Sequence, residues 1–351
     1  MPSQLPTSMR AVGLNVHMPI DDPTSFQDIQ VPVPILSEHD LLVKVHAISI
    51  NPVDAMVRAG FYPLPGVNPR ILGWDVAGTV VAVGPNVSLF QVGDAVYYAG
   101  SVIRQGGNSE FHAVDERIVG RKPSSLDFAE AAALPLTSIT AWECLFDRLA
   151  IPQSKQATAG QSLLVLNGAG GVGSIAIQLA KQLTGLTVVA TASRPESIAW
   201  VRELGADHVV NHREDIVAQL KQIGVPQVDY VLVGTAIEPY FASIVEIIKP
   251  QGKITSIVRP TKQLPFENFM VKSVAFVWQS MFTRSRFQTP DMIQQHELLN
   301  RVADLVDNKT LRTTIVASDT KHGVINAANL KQAHQALEAG QVVGKLVLEG
   351  F

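Results

Sequence analysis

Thiols are nearly absent from this chain: Cys144 is the single cysteine among 351 residues. That excludes an intrachain disulfide and is compatible with a reducing compartment. It also excludes a structural zinc lobe, which would need four cysteines. Cys144 falls in an Ala- and Leu-rich stretch, where a small buried hydrophobe is the natural reading. The nine histidines supply no H-x-x-x-H or H-E-x-x-H pair on a helix, the spacing that aims two metal ligands from one helical face. Basic runs are missing too, and the net charge is −3. A nucleic-acid partner, which needs a clustered Lys/Arg footprint, is therefore not expected. No run approaches about 18 consecutive apolar residues, so no membrane span is expected. The first residues lack the apolar core of a secretory signal. These absences point to a cytoplasmic protein.

What is present is enough apolar material for sizeable cores: 46% hydrophobic against 17% charged residues. At roughly 150 residues per domain, two domains are expected. The first third is β-rich. Residues 41–49 alternate faces as a half-buried strand, residues 75–83 form a second, and residues 95–99 a third after Gly93-Asp94. Short strands punctuated by Gly and Pro suggest a small barrel. Residues 128–149 read as helix interrupted near Pro135. From residue 163 strands and helices alternate. Strands are expected at 163–167, 188–192, 208–211, 230–233, 253–257 and 274–278, and helices at 172–184, 196–204, 214–223 and 240–248. That alternation means a doubly wound parallel sheet with right-handed crossovers. A polar helix over 291–307, a capped helix over 326–339 and a strand over 345–348 close the chain.

Gly168-Ala169-Gly170-Gly171-Val172-Gly173 fits G-x-G-x-x-G, follows an apolar strand and opens a helix. In that setting the glycines permit a tight turn and close approach to a pyrophosphate, and the helix N-terminus supplies N–H donors. A dinucleotide site follows. About 20 residues on, an NAD site carries an acidic residue for the ribose 2′-hydroxyl; here Ser193 and Arg194 stand instead. Arg194 suits a 2′-phosphate, and His212, after the third strand, stands ready beside the same phosphate. NADPH is the expected cofactor.

These segments resemble the medium-chain dehydrogenase/reductases over nearly the whole chain. Asn51-Pro52-Val53-Asp54, Arg58-Ala59-Gly60-Phe61-Tyr62-Pro63, Gly93-Asp94-Ala95-Val96 and Ala131-Ala132-Ala133-Leu134-Pro135 look like the zinc-independent quinone oxidoreductase (ζ-crystallin-like) branch. The stretches 115–123 and 281–285 are similar to a bacterial subgroup labelled "zinc-type alcohol dehydrogenase-like". That label sits badly with the residues. Asn51 stands where the zinc enzymes place a cysteine ligand, and Trp74-Asp75 where they place His-Glu.

The resemblance implies an α/β protein: a GroES-like β-barrel catalytic domain (1–132 and 311–351) plus a Rossmann domain (133–310), with the nicotinamide in the cleft between them. It implies catalytic roles for Asn51, Asp54 and Tyr62. Asn51 and Thr140 should border the nicotinamide or its ribose, Gly234 and Ile257 should line the cofactor, and Lys345 should reach the pyrophosphate. Phe61, Trp74, Trp278 and Phe282 are candidate walls of the substrate pocket. No metal site is expected. The activity implied is NADPH-dependent transfer of a hydride or electrons to a quinone or an α,β-unsaturated carbonyl. The alternatives are a zinc-type alcohol dehydrogenase, an enoyl-thioester reductase and a low-turnover NADPH-binding structural or regulatory protein. A homodimer formed along the last Rossmann strand is also implied.

Overall fold

Alternating side chains in the first third and unbroken apolar runs after residue 160 demand two kinds of sheet, and both form. A computed structural model describes residues 5–315, 323–340 and 342–351; residues 1–4, and residues 316–322 and 341 of the expected C-terminal tail, lie outside the described residues. The chain divides into two compact units, Met1–Leu136 with Phe282–Phe351, and Thr137–Met281.

The first unit is antiparallel. Ser8–Leu14 pairs with Gln27–Pro32 on one side and with Arg70–Ile71 on the other. A second, six-stranded sheet runs in the order Val347–Glu349, Asp40–Ser49, Val76–Val83, Ala95–Tyr98, Val119–Arg121, with Phe111–Asp115 also on Asp40–Ser49. The central strand alternates as expected only at its middle. Leu41, Leu42 and Val43 are all buried because the strand is covered on both faces there. The last strand returns to the first domain: Val347 faces Ser49 and Leu348 faces Ile48. The GroES-like half is therefore built from both ends of the chain.

The contacts divide the chain elsewhere than the expected boundary: residues 282–310 group with this unit. The helix Gln294–Asp307 packs on Val119–Arg121. Tyr97 donates its hydroxyl to Leu299 O at 2.6 Å, and Asp307 accepts the backbone and hydroxyl hydrogens of Ser124 and Ser125. Gly120 makes room for that contact: a Cβ there would lie 2.5 Å from Leu299 Cβ. The partners of this helix lie some 180 residues earlier, which local periodicity does not see.

The second unit is a six-stranded parallel sheet in the order His208–Val210, Thr187–Thr191, Ser162–Leu166, Val228–Val233, Ile248–Ser256, Ala275–Trp278. All five residues of Ser162–Leu166 are buried, as a strand covered by helices on both faces requires. The helices Gly171–Leu183, Pro195–Glu203, Ile216–Gln222 and Phe241–Ile247 connect the strands. The strand order reverses between Ser162–Leu166 and Val228–Val233, the switch point at which α/β sheets bind ligands beyond the carboxyl ends of the strands. Helix Pro135–Trp142 passes into a π-helical turn, Glu143–Arg148, which holds Cys144. Burial pushes the Cys144 thiol well above its usual range, so it is packed and inert.

Candidate active site

The glycine loop forms as the motif requires. Gly168 follows Ser162–Leu166, and Gly170 is the N-cap of Gly171–Leu183 in extended backbone. A Cβ on Gly173 would lie 2.4 Å from Asn167 O, so only glycine lets this helix pack against the strand end. Ala169 is nearly buried beneath the loop, and Val172 lies in the first helical turn. Asn167, in left-handed backbone at φ 65°, donates its amide to Gly234 O at 3.2 Å and so ties two strand ends together. Ser193 and Arg194 follow Thr187–Thr191, His212 follows His208–Val210, Gly234 follows Val228–Val233, and Ile257 follows Ile248–Ser256. All of them stand beyond the carboxyl ends of the parallel strands. Arg194 is half-exposed, with Nε 3.0 Å from Glu196. His212 has a buried Nδ1 with no partner among the described residues, and burial beside Arg213 lowers its pKa. Thr140 is buried in helix Pro135–Trp142.

A second cluster occupies the first unit. Asn51 precedes helix Pro52–Arg58, Asp75 precedes Val76–Val83, and Lys345 precedes Val347–Glu349. With Asp54 they are at most 4% exposed. Asp54 reaches back to accept the Asn51 N–H at 2.6 Å, the return half of a capping box, and takes the Gly73 N–H at 3.1 Å. The Asn51 amide donates to Asp75 Oδ2 at 2.8 Å and to Ser49 O at 3.3 Å. Leu136 N–H donates to Asp75 Oδ1 at 2.7 Å. The Lys345 ammonium meets Ile50 O at 2.8 Å, Asn51 Oδ1, and Asp75 Oδ2 at 3.1 Å. Burial raises Asp75 and lowers Lys345. Burial also pushes Asp54 up to about 7, against the Asn51 N–H that favours its charged form. Two carboxylates and one ammonium thus share one buried site.

Four of the expected site residues are engaged or buried within the first unit. Both Asn51 amide hydrogens are engaged, so the side chain has none to offer a carbonyl oxygen. Lys345 directs its ammonium to Ile50, Asn51 and Asp75, three acceptors for three N–H bonds, instead of holding it out for a pyrophosphate. Trp74 is completely buried, with the Arg70 guanidinium 5.5 Å from its ring and the buried Phe282 ring at 6.3 Å; both rings are core, not pocket wall. Trp278 lies half-exposed on the edge strand of the other unit, and Phe61 is exposed on the loop after Pro52–Arg58. Tyr62, next on that loop, is half-buried with φ 52°. Asp75 and Gly73 escaped the sequence reading as site residues, although the Trp74-Asp75 pair in place of His-Glu was the visible signal.

Residues 171–299 match the family described as zinc-binding dehydrogenase, and residues 37–135 match the alcohol dehydrogenase GroES-like domain. A zinc-type alcohol dehydrogenase-like protein of Staphylococcus aureus is 41% identical over 340 residues, 97% of this chain and 99% of the relative. A chloroplastic NADPH-dependent alkenal/one oxidoreductase of Arabidopsis thaliana is 38% identical over 232 residues, 64% of this chain and 56% of that protein. The crystal structure of a Rhizobium etli protein assigned to the zinc-dependent alcohol dehydrogenases matches with a TM-score of 0.92 at 50% identity, covering 98% of this chain and 99% of that one. With both units matched and a relative of this identity aligned end to end, the chain belongs to the medium-chain dehydrogenase/reductase superfamily of oxidoreductases.

Proposed function

We propose that this protein is an NADPH-dependent reductase of α,β-unsaturated carbonyl compounds and quinones that works without a catalytic zinc. The observation that carries the reading is the lock formed by Asn51, Asp75 and Lys345. At the positions that resemble zinc ligands stand an amide, an indole and a carboxylate already neutralised by an ammonium. Zinc asks for about three Cys, His or carboxylate donors; this donor set does not fit it. The Arabidopsis relative's name, with its NADPH and its alkenal/one substrates, supports the same direction.

The residues beyond the strand ends fit a dinucleotide. The N–H groups opening Gly171–Leu183 would take the pyrophosphate, while Ser193, Arg194 and His212 would take the 2′-phosphate. Gly234 and Ile257 would border the rest of the cofactor. When bound, that cofactor supplies a hydride. The remaining work belongs to the chain: holding the acceptor and stabilising charge that develops on its oxygen. With Asn51 committed, the Tyr62 hydroxyl is the side-chain donor left among the expected catalytic residues, while Asp54 holds the Asn51 and Gly73 N–H groups.

An NADPH-oxidation screen over quinones, enones and enoyl thioesters, with and without chelator, tests this reading. Turnover of quinones or enones that survives EDTA is expected. Stoichiometric zinc lost together with activity would overturn it, and so would turnover confined to enoyl thioesters or no turnover at all.

We further place the protein in the cytoplasm, acting on small molecules, with neither nucleic acid nor membrane as a partner. None of the described helices is long and apolar enough to cross a membrane. We also propose a homodimer built on the Ala275–Trp278 edge strand. That edge is short and carries exposed Trp278, with exposed Met270 and Val271 just before it in the chain, a surface that invites pairing unless it is covered. Sedimentation should give a dimer, and Ala275→Lys should give a monomer. A variant that stays dimeric would remove this strand from the interface.

A further inference from the structure

Arg286 lies on the short helix Thr283–Phe287 of the first unit. Its guanidinium carbon is 5.4 Å from the centre of the Tyr62 ring and 5.5 Å from that of Phe287. Among the described residues no carboxylate or other acceptor pairs with it. Arg284, two residues earlier, is by contrast buried and held by Asp291 at 3.0 Å. One arginine of this helix is therefore a structural tie, and the other is an unneutralised cation held against aromatic rings. Such contacts engage the guanidinium face and leave its edge of N–H donors for a planar, bidentate acceptor.

The place of this cation in the fold ties it to the buried network. Its backbone N–H donates to Phe282 O at 2.7 Å, and Phe282 packs edge-on against Trp74, the neighbour of Asp75. Tyr62 is reached from the other side, from Asn51 through helix Pro52–Arg58. The segment after helix Pro52–Arg58 and the helix Thr283–Phe287, which Trp74 touches through Phe282, meet where Arg286 covers Tyr62. Each is bent by a non-glycine residue in left-handed backbone at this end, Tyr62 at φ 52° and Gln288 at φ 46°. Gln288 does so as the left-handed C-cap that ends helix Thr283–Phe287, whereas Tyr62 holds the conformation on a loop. Exposed Phe61 and Phe287 supply apolar surface on the same two segments.

We propose that Arg286, framed by Tyr62 and Phe287, is a subsite for an anionic oxygen group, a carboxylate or a phosphate, carried by the unsaturated carbonyl substrate. This deepens the reductase reading and rests on it. Tyr62 would then serve twice, its hydroxyl toward the carbonyl and its ring beneath the cation that receives the far end of the molecule. The preferred substrates would be oxo-alkenoates or phosphorylated enones, ahead of neutral ketones of the same size.

The test compares β-acetylacrylate with its methyl ester in the wild type, Arg286→Gln and Arg286→Lys. The wild type should favour the acid. Arg286→Gln should lower the acid-to-ester ratio of kcat/KM about 10- to 100-fold, chiefly through KM and with the KM for NADPH unmoved, and Arg286→Lys should restore part of it. A ratio unchanged by Arg286→Gln would overturn the subsite, as would an effect carried by NADPH. Calorimetry with unreactive levulinate, methyl levulinate and acetol phosphate separates this from the reductase reading, since it needs no turnover. Levulinate or acetol phosphate bound by the wild type and lost in Arg286→Gln supports the subsite, and the stronger of the two identifies the anion. Equal binding of levulinate and its ester, or none, overturns it.

Discussion

Tyr62 holds an aromatic side chain in left-handed backbone, a conformation that costs about 1–3 kcal/mol for such a residue and persists only where neighbours enforce it. If its hydroxyl protonates the product, Tyr62→Phe should lower kcat for an enone by at least about tenfold while leaving the KM for NADPH alone. Quinone reduction should suffer less, because a hydroquinone collects its proton from water. An unchanged kcat for both would reduce Tyr62 to packing. Arg194 belongs to the same scale. It shares its guanidinium with Glu196, so a 2′-phosphate must compete with that carboxylate. Arg194→Ala should still weaken NADPH about 10- to 150-fold, the worth of a charge-assisted hydrogen bond, and leave NADH nearly unaffected. Equal wild-type affinity for the two cofactors would refute this assignment.

Elements meet at Lys345. The residue joins the run-in to the last strand, Val347–Glu349, to the start of helix Pro52–Arg58 and to the strand that follows Asp75. Removing one partner of a buried ion pair leaves the other uncompensated, at a cost of roughly 3–5 kcal/mol. Lys345→Met should lose stability on that order in urea unfolding. The double variant with Asp75→Asn should recover a large part, since an amide needs no counter-ion. If the double variant is as unstable as the sum of its parts, the pair is not coupled as drawn.

For the whole molecule, buried titratable groups set the response to pH. His112 is buried between Tyr98 Oη and Gln105 O, each 3.0 Å away, and burial pulls its pKa down to about 4. His334 has neither ring nitrogen hydrogen-bonded among the described residues, and burial takes it down to about 3. Both folded values lie below the unfolded 6.5, so the stability these rings allow is present above pH 6.5 and is lost as pH falls toward 4 and 3. For His112 the loss is roughly 3 kcal/mol. Asp54 has the opposite sign. Its folded value of about 7 lies above the unfolded 3.8, so stability is greatest below pH 3.8 on its account and is lost as pH rises through about 7. His334→Phe should flatten the acid limb of a stability profile, and Asp54→Asn should raise the limb between pH 4 and 7. Limbs that keep their slopes in these variants would exclude both groups as the cause.

The glycine loop was legible because its geometry is local: six consecutive residues, a preceding strand and a following helix define it. The same holds for the alternation of strands and helices that makes the sheet parallel. The poverty in cysteine, together with Asn51 and Trp74 at the positions that resemble zinc ligands, was equally open to reading in the sequence. What the chain order concealed is long-range. The periodicity of helix Gln294–Asp307 names no partner, and its contacts are with Tyr97, Gly120 and Ser124, far upstream. Lys345 read as a free cation; its acceptors lie almost 300 residues away, and a charge inside a protein is stable only where folding brings such acceptors to it. Composition and local spacing determined the class of fold and the glycine loop at the end of its central strand. Tertiary structure alone decided which polar groups are committed to one another and which, like the Arg286 guanidinium, are left to meet a substrate, because hydrogen bonds and ion pairs are settled by proximity in space and not along the chain.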